Sequence, residues 1–154
     1  MPPKPASATR VLAIASAGGH WIQLMRLRPA LDGAQVTWAT TRAELAAGLE
    51  GKVHVVADGS ASNPLRVLRS LFQVFWLLLR LRPHVVITTG AAPGAAAVVL
   101  GRLLGARTVW IDSIANGEQL SRSGRLVRRF AVAWLTQWEH LAGGAGPQYW
   151  GRIL

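Results

Sequence analysis

A small cluster, Ser16-Ala17-Gly18-Gly19-His20, stands between an apolar run and a helical pattern. Gly18 and Gly19 let the backbone come close to a ligand. The helix that follows offers unpaired N–H groups and the positive end of its dipole. Together they suit a phosphate, a diphosphate or a developing oxyanion. His20 falls in the first helical turn, pointing at the expected cleft. Imidazole exchanges protons near neutral pH, so His20 could act as general base on an acceptor hydroxyl. The plainer alternative is a tight strand-to-helix turn with His20 as a polar helix-start residue. Dinucleotide chemistry is disfavoured. The G-x-G-x-x-G spacing is absent, the next strand ends Thr40-Thr41-Arg42 without a ribose-binding acid, and no G-x-x-x-x-G-K-[ST] loop occurs.

Two further loops carry hydrogen-bonding groups. Thr88-Thr89-Gly90 follows an apolar run, and Thr89 and Gly90 could meet a second phosphate or a sugar, or simply open the next helix. Asp112 ends another apolar run and is one of seven carboxylates. It could orient His20, accept a proton itself, hold sugar hydroxyls, or cap its own loop. Ser113, Asn116 and Ser121 follow as further substrate-binding candidates. No paired carboxylates share a loop, and His54, His84 and His140 are scattered. No metal constellation and no cofactor are expected.

The elements that position these loops read as alternating strands and helices. Strands are predicted at Val11–Ala15, Gln35–Thr40, Lys52–Ala57, His84–Thr88 and Ala106–Ile111, with a last one at Ala133–Gln137. Helices are predicted at Trp21–Leu31, Thr41–Leu49, Pro64–Leu81, Pro93–Leu104 and Arg125–Val132. Gly143–Pro147 reads as a flexible connection to a short aromatic tail. The alternation implies an α/β, Rossmann-like, doubly wound parallel sheet in a single domain over residues 10–154, after a disordered lead at 1–9. Ligands on such sheets bind beyond the carboxyl ends of the strands. That rule selects Ser16–His20, Thr88–Gly94 and Asp112–Gly124.

The helix over 65–82, LRVLRSLFQVFWLLLRLR, has Arg66, Arg69, Ser70, Gln73 and Arg80 on one stripe, and almost everything else is apolar. Its apolar arc is wider than one sheet contact requires. Arg69, Phe72, Phe75, Trp76 and Arg80 suit a helix lying in a membrane interface, with arginines at the headgroups. Burial against the sheet and a partner chain is the alternative, and the two can coexist.

Composition bounds the rest. The 154 residues are 51% hydrophobic and hold no cysteine, which removes disulfides and thiolate chemistry. The net charge is +10, and all basic residues but Lys4 and Lys52 are Arg. Such a surface favours polyanions. No apolar stretch reaches the roughly 20 residues a spanning helix needs, so the domain is expected to stay in the cytoplasm, with the helix at 65–82 holding it peripherally at the cytoplasmic face of the inner membrane. A nucleotide- or nucleic-acid-binding module is the competing class. It fits less well because the aromatic residues do not lie in basic strands as a base-stacking platform would. No nucleic-acid partner is expected.

Taken together, the Ser16–His20 loop with WIQLMRLRPAL, the segment RPHVVITTGAAPGAAAVVLGRLLGARTVWIDSIANGEQLSRSGRL and the ending TQWEHL…QYWGRIL resemble the ALG-fourteen-like and PssD-type proteins of oligosaccharide and exopolysaccharide synthesis. That family is similar to the N-terminal half of MurG-type, GT-B-fold transferases. The resemblance implies an acceptor-binding, membrane-attached glycosyltransferase subunit, inactive without an ALG-thirteen-like or PssE-type donor-binding partner. It implies inverting transfer from a UDP-sugar to a polyprenyl-diphosphate-linked sugar, with cleft roles for Gly18, Gly19, His20 and Asp112. Ser121–Gly124 matches the family's Ser-x-x-Gly pattern. Where many relatives have Glu and Arg, this chain has Asp112 and Asn116. The N-terminal membrane helix of eukaryotic relatives has no counterpart here, which shifts attachment onto the helix at 65–82.

Overall fold

The computed structural model describes residues 8–59 and 62–153. Among them, seven strands form one sheet in the order β3-β2-β1-β4-β5-β6-β7, every pair parallel. The strands are β1 (Arg10–Ile14), β2 (Gln35–Thr40), β3 (Lys52–Val55), β4 (Val85–Thr88), β5 (Arg107–Ile111), β6 (Ala133–Thr136) and β7 (Gln148–Tyr149). The helices are α1 (Gly19–Arg26), α2 (Pro64–Leu81), α3 (Ala91–Leu103) and α4 (Arg122–Val127). The strand order turns back between β1 and β4. In sheets of this kind that switch point opens the binding crevice.

Alternation along β1 explains the two-sided core. Leu12 and Ile14 face one way and pack with Val74, Leu77 and Leu78 of α2, Val86, and Ala96 and Ala97 of α3. Ala13 and Ala15 face the other way and meet Trp21 and Leu24 of α1 and Trp38 of β2. Trp21 and Trp38 stack edge to face at 6.2 Å. Each fully buried aliphatic side chain contributes about 1.5–3 kcal/mol, and the small residues of α3 let it lie close to β4.

Several boundaries differ from the sequence reading. Pro29 breaks the first helix, so the segment Arg28–Leu31 is a 3-10 turn. The expected helix at 41–49 is one 3-10 turn, Ala43–Ala46. The helix starting at Pro93 begins at Ala91, because Gly90 and then Ala91 at φ 69° turn the chain out of the strand. The helix expected at Arg125–Val132 is Arg122–Val127, started by Ser121, whose Oγ accepts from the Gly124 amide at 2.8 Å. The aromatic tail contains β7, which the sequence reading missed. Of the lead expected at 1–9, residues 1–7 lie outside the described residues, and the Thr9 carbonyl accepts from the Gln35 amide at 2.9 Å.

The helix at 64–81 forms as expected. Pro64 occupies its first turn and the Asn63 side chain caps the Arg66 amide. It ends at Arg82 in a left-handed conformation, φ 44°, whose carbonyl accepts two hydrogen bonds from the Arg10 guanidinium. The polar stripe read from the sequence splits in two. Ser70 is buried, and the Gln73 side chain turns inward to accept from the Ala57 amide at 2.7 Å, whereas Arg66, Arg69 and Arg80 stay exposed. Away from the core, Leu65, Leu68, Phe72, Trp76 and Leu79 form an exposed apolar line at helical spacing. Phe75 is also exposed, at 38%. No described helix is long and apolar enough to cross a membrane.

Candidate acceptor site at the sheet switch point

The loops after β1 and β4 are neighbours because their strands are neighbours, and they are tied together by two reciprocal bonds. Thr89 Oγ1 donates to the His20 carbonyl at 2.6 Å. His20 Nδ1 lies 2.9 Å from the Thr89 carbonyl. A carbonyl can only accept, so Nδ1 bears the proton in this contact and Nε2 is left with its lone pair in the neutral ring. A main-chain group thus fixes the tautomer that a general base requires.

Glycine is needed on both sides of this contact. Gly18 sits at φ 87°. Gly90 sits at φ 127°, and a Cβ there would fall 2.8 Å from both Cε1 and Nδ1 of His20. At Gly18 and Gly19 an added Cβ would meet nothing within 4 Å, so the glycine loop faces open space. Neither α1 nor α3 has a side-chain cap at its N-terminus. Two helix starts with their amides unclaimed by caps therefore flank one imidazole, an arrangement suited to a diphosphate beside a reacting hydroxyl.

The third loop forms a second cluster. Asp112 is 2% exposed, and each carboxylate oxygen accepts two hydrogen bonds. Oδ1 receives the Ser113 amide at 3.0 Å and Asn116 Nδ2 at 2.7 Å. Oδ2 receives the Ser121 amide at 3.0 Å and Ser121 Oγ at 3.1 Å. Ser113 Oγ accepts from Gln23 Nε2 at 3.0 Å and from the Ala115 amide at 3.3 Å. The carboxylate of Asp112, the hydroxyls of Ser113 and Ser121 and the amide nitrogen of Asn116 are thus engaged in shaping their own loop. Among the described residues no hydrogen bond joins Asp112 to His20.

The link between the clusters runs through residues the sequence reading missed. Gln23, buried on α1 one turn after Gly19, donates to Ser113 Oγ and to the Gly19 carbonyl, and its Oε1 accepts from the Ile114 amide and from Gln137 Nε2 at 2.6 Å. Gln137, 1% exposed, also donates to the Asp112 carbonyl and accepts from the Ile153 amide at 2.8 Å. A glutamine on an otherwise apolar helix face was the available signal for Gln23. Trp138 Nε1 and His140 Nε2 bond the carbonyls of Ile114 and Gly117, and the Arg152 guanidinium lies 4.6 Å above the Trp138 ring. Among the described residues no three His, Asp or Glu side chains gather to hold a metal ion.

The tightness of this loop gives a stability test. Helical Gly→Ala changes ordinarily stabilise, by up to about 1 kcal/mol. At Gly124 a Cβ would lie 2.7 Å from Asp112 Oδ2 and 2.9 Å from Ser121 Oγ and Trp110 Nε1. Gly124→Ala should therefore destabilise by about 2 kcal/mol, the usual cost of overpacking. Urea denaturation measures it, and a gain in stability would contradict the packing described.

The residues expected to contact a membrane, Arg69, Phe72, Phe75, Trp76 and Arg80, are all on the exposed side of α2 and apart from the cleft residues.

Comparison with known proteins agrees with the fold and places the chain. Among solved structures, MurG of Acinetobacter baumannii superposes with a TM-score of 0.74 at 15% identity, covering 92% of this chain and 45% of that one. A glycosyltransferase from Rickettsia africae gives 0.65 at 12%, covering 96% and 44%. The chain thus spans under half the length of these neighbours, and its fold is that of one Rossmann-like half of a GT-B glycosyltransferase. Among curated proteins, the "UDP-N-acetylglucosamine transferase subunit ALG14" of Eremothecium gossypii is 30% identical over 86% of this chain and 74% of its own length. The protein of the same name from Mus musculus is 26% identical over 97% and 85%. The family profile "Oligosaccharide biosynthesis protein Alg14 like" matches residues 51–153, and the chain belongs to that family.

Proposed function

We propose that this chain is the acceptor-holding subunit of a heteromeric glycosyltransferase, closed by a separate donor-binding chain. It transfers a sugar from a UDP-sugar to a polyprenyl-diphosphate-linked acceptor at the cytoplasmic face of a membrane. The observation that carries this reading is the His20–Thr89 contact at the strand switch point, between two uncapped helix starts. The names of the curated relatives support N-acetylglucosamine as the sugar and a subunit as the form.

In the proposed mechanism the lipid diphosphate lies against the amides that begin α1 and α3, with Gly18 and Gly19 allowing close approach and Gly90 making room for the His20 ring. The acceptor hydroxyl then faces His20 Nε2, which takes its proton. The acceptor oxygen forms a bond to the anomeric carbon as the carbon–diphosphate bond breaks. UDP leaves with the electron pair, and the carbon inverts in a single displacement. We read the step as metal-independent, the charge on UDP being met by the partner. Asp112 acts as a positioning residue. Through Ser113 and Gln23 it holds the loop after β5 against α1, so it sets where His20 stands and leaves the proton to the imidazole.

The chain alone is expected to give no turnover with UDP-N-acetylglucosamine and a polyprenyl-diphosphate sugar, and turnover should appear when the donor-binding chain is added. Radiolabel transfer measures both. Turnover by the chain alone would refute the divided site.

A further inference from the structure

β3 is an edge strand, and α2 crosses beside it, leaving a groove of about 490 Å³. Its walls are apolar where Phe72, Trp76 and Leu77 line it, and basic where Lys52, His54 and Arg80 line it. No carboxylate lines it. The ion pair found among the described residues is Arg42–Glu44, so neither Lys52 nor Arg80 is neutralised by a described acid. The crowding is felt by His54, whose pKa is lowered by burial and then by the charges of Arg80 and Lys52. Uncompensated positive charge beside apolar walls suits an anion with an apolar tail.

Its place in the fold separates it from the acceptor cleft. Lys52 begins β3 and Arg80 lies near the end of α2, so the basic end sits at the opening edge of the strands. The cleft lies at their closing edge. α2 has 18 residues and is therefore about 27 Å long, and the basic end of the groove lies by its last turn, at the opposite end from the turn that starts at the closing edge. The groove opens onto the exposed apolar line of α2 at Trp76 and Leu79.

We propose that this groove seats one anionic phospholipid, its headgroup phosphate between Lys52, His54 and Arg80 and an acyl chain along Phe72, Trp76 and Leu77. The inference deepens the membrane-attachment reading, since the lipid comes from the bilayer on which α2 rests. Lys52 and Arg80, two cations against no acid, select the phosphate, with the His54 imidazole beside them as a hydrogen-bond donor, and the apolar wall selects a tailed molecule over a nucleic acid or free phosphate.

The test titrates the full chain with short-chain phosphatidylglycerol below its micelle concentration, followed by calorimetry. One lipid per chain is expected. Lys52→Ala with Arg80→Ala should weaken binding about 30-fold, the loss of two basic headgroup contacts. Arg128→Ala with Arg129→Ala removes the same charge from an exposed stretch after α4, outside the groove, and should leave binding unchanged. Circular dichroism confirms that both variants fold. Equal loss in the two variants, a stoichiometry other than one, equal binding of phosphatidylcholine, or equal binding of inorganic phosphate or an acidic peptide would each overturn the proposal. Monomeric lipid bound as described by a chain that ignores vesicles would sink membrane attachment and leave the groove standing. Vesicle binding with no groove-dependent lipid would do the reverse.

Discussion

His20→Ala lowers turnover of the reconstituted transferase by about 10²–10⁴-fold, the range for losing a general base. The size follows from where the ring is held. Nδ1 is committed to the Thr89 carbonyl at 2.9 Å, so the other nitrogen carries the reaction, and no described carboxylate stands behind it as a substitute. The fold should survive. His20 is only partly buried, and what remains is one unpaired carbonyl, a cost of about 1–3 kcal/mol. A merely structural histidine would be expected to alter stability and acceptor binding together. A base instead lowers kcat while leaving the affinity for the donor-binding chain intact. Steady-state kinetics, with partner binding and stability measured in parallel, separates the two. Near-normal kcat in the variant would remove His20 from the chemistry.

Phe72→Glu combined with Trp76→Glu should weaken binding to anionic vesicles roughly a hundredfold. Phe72 is 67% and Trp76 60% exposed, so both meet solvent in the isolated chain and both are available to a bilayer. Partial insertion of two large aromatic side chains accounts for about 3 kcal/mol, which is that factor in affinity. Phe75, at 38% exposure, lies nearer the body of the protein and is the weaker choice. Two exposed substitutions on a well-capped helix should change stability by no more than about 1 kcal/mol. Residual binding should be salt-sensitive, because the arginines remain. Vesicle sedimentation gives the result, and unaltered sedimentation would end the assignment of α2 to a membrane surface.

Much of this architecture was legible because parallel strands buried on both faces are short apolar runs, and Gly and Pro punctuate them. Val11–Ala15, His84–Thr88 and Ala106–Ile111 could be read that way, and the crevice rule then named the three loops. His20 was visible because it follows two glycines at a helix start. What stayed hidden depends on contacts distant in sequence. β7 is two residues long and exists through its pairing with Leu135 and Thr136. The start of α4 is set by Ser121, whose place depends on Asp112 nine residues earlier. Gln23 and Gln137 fell inside an expected helix and an expected strand with no role assigned, and their meaning lies in each other. The polar stripe on α2 misled because side-chain type alone does not say that Ser70 turns inward while Leu68 turns out.

Holding an imidazole by a main-chain carbonyl has a consequence for how the site can be lost. Substituting the residue that supplies the carbonyl leaves that oxygen in place, so the proton arrangement of the ring resists side-chain changes at position 89. Fragility moves one residue along the chain. At position 90 even a methyl group would occupy the space of the ring, and the absence of a side chain there is as much a part of the reactive geometry as the histidine.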